Sequence, residues 1–148
     1  MLMSCLIGAD TAPPPPALSP LTKVGRQYPG AHCCDGMRDP ILVNIAQEYA
    51  DQMASINSQS YQGKGHFGFD QRRQQVWNTL RMHAVEITAE SWSWQVNASG
   101  DELGKEMFYC WRRSPGHWSV ASRFHKRFGD GLSKSRQGIW FACIIVAD

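Results

Sequence analysis

The stretch whose reading decides the fold is Trp111-Arg112-Arg113-Ser114-Pro115-Gly116-His117. A helical pattern runs into it from Ser99. Ser114-Pro115-Gly116 then predicts a turn, because proline fixes φ and glycine permits positive φ. A histidine directly after a tight turn is an imidazole aimed at one point. Two other segments hold groups that can meet it there. One is His66, in Gly65-His66-Phe67-Gly68-Phe69, and the other is Glu86, in Ala84-Val85-Glu86-Ile87-Thr88-Ala89.

Moving outward, Ser99-Gly100-Asp101-Glu102 is a capping box, and Leu103, Met107, Cys110 and Trp111 form the buried stripe of the helix behind it. Asp39 as N-cap and Pro40 at the first helical position start a helix over 40–57, with Ile41, Leu42, Ile45, Tyr49, Met53 and Ile56 on one face. Asp70 is read as the cap of a helix over 70–80, with Val76, Trp77 and Leu80 inward. Residues 84–89 alternate and favour an extended segment, with Glu86, Thr88 and Glu90 on one face and Trp92 and Trp94 continuing the pattern. Residues 119–124 add a helical turn. Gly129-Asp130-Gly131 is read as a turn, and 132–135 and 139–146 as a hairpin around Ser135-Arg136-Gln137-Gly138. Its last strand is almost wholly apolar, so both faces should be covered. Helices first and an antiparallel hairpin last predict an α+β fold with helices flanking a small sheet.

The 148 residues suit one domain, and 43% hydrophobic with 19% charged content is ordinary for a globular chain. A net charge of +2 does not call for a nucleic-acid partner, and the Arg72-Arg73 and Arg112-Arg113 doublets read as solvated surface. Residues 1–20 divide off as an export-signal remnant and a Pro13–Pro16 spacer, leaving 21–148 as the domain with an irregular lead-in over 21–38. The apolar start is too short for a membrane span. Leu2-Met3-Ser4-Cys5 has the outline of a lipoprotein box with Cys5 as the lipidated residue. An export signal and spacer place the domain outside the cytoplasm, secreted, periplasmic or lipid-anchored. Asn97-Ala98-Ser99 fits a glycosylation sequon, relevant only to a eukaryotic secretory route. Five cysteines match no zinc spacing, and two readings stay open for Cys110 and Cys143: a bridge, or buried free thiols.

Two histidines and a carboxylate in one cleft permit divalent-metal binding, with neutral imidazoles as ligands and Glu86 as third ligand or as the acceptor orienting a ring. They also permit acid–base work near neutral pH. Ser114 is a turn residue or cap on this reading, not a nucleophile. His32, His83 and His125 show no partner pattern and are read as surface, and the bland alternative for Glu86 is a pair with Arg72.

In order, these segments resemble the CAP superfamily of cysteine-rich secretory, antigen 5 and pathogenesis-related proteins, in particular its bacterial SCP-like branch. The likeness spans roughly residues 41–147: the Ile45-to-Ala54 helix, His66 with Gly68-Phe69 and Arg72, Glu86-Ile87-Thr88-Ala89, Trp111-x-x-Ser-Pro-Gly-His117, and the final hairpin. It implies a three-layer α-β-α sandwich whose central cleft takes His66, His117 and Glu86. The family's second glutamate falls at Ser114, leaving an incomplete set that Glu90 completes only if it points inward. Family functions range over protein interaction, metal binding, lipid or sterol binding and proteolysis. The resulting expectation is an extracytoplasmic, non-enzymatic binding module that holds a divalent metal such as zinc at His66, His117 and Glu86, with a protein or small-molecule ligand. A metal- or histidine-dependent hydrolase and lipid or sterol carriage are the alternatives.

Overall fold

A computed structural model describes residues 18–58, 66–91 and 99–148. The segments holding Cys5, the proline run, Trp92, Trp94 and Asn97 lie outside the described residues.

The lead-in contains a helix that the sequence reading missed. Ser19 caps α1 (Pro20–Gly25) with proline in its first turn. The two-residue strand β1 (Met37–Arg38) follows. Asp39 caps α2 (Pro40–Ile56) by accepting from the amides of Ile41 and Leu42, as expected of Asp-Pro. The next helix, α3 (Phe69–Leu80), is capped two residues earlier than predicted: Gly68 is the N-cap, in the left-handed region at φ 78°, and Asp70 sits in the first turn. The predicted extended segment is β2 (Ala84–Glu90). The capping box forms as read, opening α4 (Gly100–Arg112). Ser114-Pro115-Gly116 is not a free turn. Ser114 is the N-cap and Pro115 the first residue of α5 (Pro115–Ala121), so His117 sits on a helix. The hairpin is β3 (Arg127–Lys134) and β4 (Trp140–Ala147).

The four strands lie in the order β1-β3-β4-β2. Only the short β1–β3 pair is parallel, while β3–β4 and β4–β2 are antiparallel. One face carries α2 and α3 over Leu42, Ile45, Tyr49, Met53 and Val76, packed on Phe141, Cys143 and Ile145. The other carries α1, α4 and α5 over Leu21, Phe108 and Trp111, packed on Ile87, Phe128 and Ile144. The fold is therefore the expected α+β sandwich of three layers, with β4 covered on both faces.

Gly129-Asp130-Gly131 is a strand, not a turn. Its glycines exist for close approach: a Cβ on Gly129 would lie 2.1 Å from the Leu42 carbonyl carbon, and one on Gly131 2.4 Å from the Ala46 carbonyl oxygen. The α2 backbone thus rests directly on β3. Asp130, between them, faces the opposite layer, where it accepts from Ser19, Thr22 and Arg38 and ties α1 to the sheet. A buried carboxylate is tolerable because it is fully paired.

Trp77 is 39% exposed, not inward, and covers the ring of His83 at 5.1 Å. His125 is buried at 3% exposure, where one ring nitrogen meets Asp148 and the other the Val120 carbonyl. Cys33, Cys34, Cys110 and Cys143 are free thiols, so the Cys110–Cys143 bridge does not form. Burial pushes the Cys143 thiol up, which keeps it protonated and inert.

Gly131→Ala should lower stability by about 3 kcal/mol, read as a shift of the urea midpoint, because rigid backbone cannot yield to the added methyl. Gly116→Ala, where nothing lies within 4 Å, should leave it equal or raise it by about 0.5 kcal/mol.

Candidate functional site

The site forms at the free edge of the sheet, where β2 is the outermost strand. Alternation along β2 turns Ile87 and Ala89 toward the α4 layer and Ala84 toward the α2 layer. Glu86 shares the side of Ala84 and is 5% exposed. An anion so desolvated needs opposite charge and donors. Arg72 of α3 supplies both: Nε donates to Oε2 at 2.8 Å and Nη2 to Oε1 at 2.6 Å, a bidentate pair. Its third nitrogen, Nη1, donates to the Phe67 carbonyl at 2.8 Å and holds the segment entering α3. The guanidinium also lies over the Tyr49 ring, 3.4 Å from its centre. Burial works against the charge on Arg72, but the hydrogen bonds and charge of Glu86 outweigh it and raise its pKa. Burial pushes the Tyr49 phenol up, against Arg72, so it stays neutral.

His66 completes the carboxylate's shell. Its Nδ1 lies 2.9 Å from Oε1 of Glu86. Since Glu86 is an acceptor there, Nδ1 carries a proton, and Nε2 is the nitrogen not engaged with the carboxylate, with the ring 41% exposed. His117 reaches the same place from the other layer, on α5. The two rings stand 6.1 Å apart centre to centre, tilted by 56°. Burial lowers the His117 pKa, and the nearby His66 lowers it further, so His117 is neutral at pH 7.

All three predicted residues therefore converge, and Glu86 takes the orienting role with both oxygens engaged. Among the described residues no group of three or more His, Cys, Asp and Glu stands close enough to enclose an ion. Glu90 is exposed at the end of β2, and Ser114 is spent as the start of α5. The sequence reads Arg72 as solvated surface, with a pair to Glu86 as the bland alternative, but its side chain is only 11% exposed and holds that carboxylate. Tyr49 was legible as a core position but not as the platform under the guanidinium, since nothing in a helix stripe says which ring a cation will cover.

Trp111 holds the edge itself. It is fully buried, and its indole N–H donates to the Thr88 carbonyl at 2.8 Å, joining α4 to β2.

No family model matches this chain, and no curated protein does. Among solved structures it resembles an outer surface protein from Borrelia burgdorferi, with a TM-score of 0.58, 15% identity and 86% of each chain covered. That likeness concerns the fold: an α+β sandwich of the same overall course. No described helix is long and apolar enough to cross a membrane.

Arg72→Met should cost about 3–5 kcal/mol in urea unfolding, because it strands the Glu86 charge in a dry site. Arg72→Met with Glu86→Leu should recover most of that loss, since the pair as a whole is near break-even against apolar packing.

Proposed function

We propose that this chain is an extracytoplasmic binding module of the CAP type, and that His66 and His117 hold a divalent cation such as zinc between them. The observation that carries the reading is the arrangement of the two imidazoles. One is fixed by Glu86 through Nδ1 and the other is kept neutral by burial. With metal–nitrogen bonds of about 2.1 Å and a tetrahedral angle, an ion shared by two imidazoles sets their centres about 5.3 Å apart, so the rings, 6.1 Å apart here, would close by a little under 1 Å around it. Glu86 then acts as the acceptor that orients His66. The ion's remaining positions are left to water or to a group from a partner, so the site suits reversible recognition more than a permanent structural metal. The outer-surface role printed for the Borrelia neighbour agrees with an extracytoplasmic location.

The hydrolase reading has less support. Both Glu86 oxygens are held by Arg72 and His66, so this carboxylate is not free to accept a substrate proton. Ser114, as the N-cap of α5, has no base placed against its hydroxyl among the described residues.

Calorimetric titration with zinc should show one saturable site in the wild type and none in His66→Ala/His117→Ala. Equal binding by both proteins would remove the histidines from the reading. The pH dependence has a defined sign. The folded-state pKa of His117 is depressed below its ordinary 6.5, so protons compete with zinc there only below that value. Affinity should hold from pH 8 to 7 and fall below 6.5. The unliganded fold should lose stability over the same descent, because the unfolded chain binds the proton more readily.

A further inference from the structure

Of the five histidines, His125 is the buried one, and both nitrogens of its ring face acceptors. Nδ1 lies 2.7 Å from Oδ2 of Asp148, just past β4, and Nε2 lies 3.0 Å from the carbonyl oxygen of Val120, in the last turn of α5. A neutral imidazole carries one proton and can donate only one of these bonds. The carboxylate is the stronger acceptor, so a neutral ring spends its proton on Asp148 and turns a lone pair toward the Val120 oxygen. An imidazolium donates both bonds. We propose that His125 is a proton-operated fastening of α5, the helix that carries His117. The protonated ring ties the helix end to the end of the sheet, and the neutral ring releases it.

The surroundings give this contact its leverage. The helix spans only Pro115–Ala121, and its N-cap Ser114 makes no side-chain capping bond. At the other end, the Ala121 carbonyl accepts from the His32 and Cys33 amides, whatever the pH. The Val120 carbonyl has a long bond of 3.3 Å from the Arg123 amide and the bond from His125. Only the second of these depends on a proton. A cation is also favoured at the carbonyl end of a helix. The charged group in contact with the ring is Asp148, from the end of β4. Burial works against the charge of Asp148, but hydrogen bonds from His125 and the Lys126 amide, and the charges of His125 and Arg123, outweigh it and hold its carboxyl below the ordinary value. Arg123 and Lys126 belong to the connection between α5 and β3. At the start of β2, His83 pairs with Asp148 through backbone, while its ring lies against Trp77. The segment before β1 brings Gly36 against the His125 carbonyl, and its Asp35 is paired with His32. The fastening needs no ion at His66 and His117.

The test is NMR on the whole metal-free chain between pH 5 and 8, the range in which histidine titrates. It follows the ring nitrogens of His125 and the hydrogen-exchange protection of the Ser122 and Arg123 amides, which close the end of α5. On acidification the ring should pass from one protonated nitrogen to two. Over the same interval protection of the two amides, corrected for the intrinsic pH dependence of exchange, should rise about fivefold, the weight of one hydrogen bond. The Ile144 amide in β4 should not follow. Asp148→Asn, a change at a half-exposed side chain, removes the charge that favours the imidazolium, so both steps should move to lower pH together. His125→Gln should abolish the step in protection. His66→Ala/His117→Ala should keep both steps, which separates the fastening from the candidate cation site and from any failure of that site. The proposal is overturned if the His125 ring does not titrate in this range, if protection stays flat while it titrates, if the two steps have different midpoints, if Asp148→Asn leaves them in place, or if either the His125 variant keeps the step or the double variant loses it.

Discussion

Glu86 is a carboxylate placed where water does not reach it, and the region around it is a response to that placement. A bare charge there would be untenable, so α3 must dock with Arg72 facing inward. Arg72 in turn must be desolvated, and it settles on the Tyr49 ring of α2. Its remaining nitrogen holds the backbone beside His66, and Oε1 of the carboxylate also orients the His66 ring. One buried anion thus positions two helices, an entering segment and an imidazole. Such a pair contributes little net stability, and its effect is to select one arrangement of the elements.

Two constraints bring β2 to the place where this can happen. The first is steric: glycines at 129 and 131 let α2 sit on β3 backbone to backbone, which fixes the height of the α2 layer. The second is the Trp111 indole, which reaches the Thr88 carbonyl and fixes α4 against β2 from the other side. Because β2 is the edge strand, groups from both helical layers can meet around it. His66 arrives from the α3 side and His117 from α5, which explains how residues far apart in the chain become neighbours.

Several local readings failed for one reason: short signals of proline and glycine are shared by different structures. Ser-Pro-Gly at 114–116 fits a turn, but serine before proline is equally an N-cap followed by a first helical residue, and packing of Trp118 and Ala121 onto the α4 layer selects the helix. Gly-Asp-Gly at 129–131 fits a turn until α2 is seen to need the missing side chains. His125 carries no mark of burial in the sequence, since its partners, Asp148 and the Val120 carbonyl, are brought to it by the fold.

By itself the sequence determined the elements whose signals are local: Asp39-Pro40 and the stripe of α2, the Ser99 capping box and α4, the alternation of β2, and the apolar last strand. These follow from backbone satisfaction and burial of one face, which neighbours along the chain decide. It also marked His66, Glu86 and His117 as candidates through their order, which is a pattern and not a distance. Tertiary structure alone decided that Glu86 would be spent on Arg72, that Tyr49 would carry the guanidinium, and that the two histidines would stand 6.1 Å apart. Those outcomes depend on desolvation and on contact between layers, and both quantities exist only once the chain has closed around its sheet.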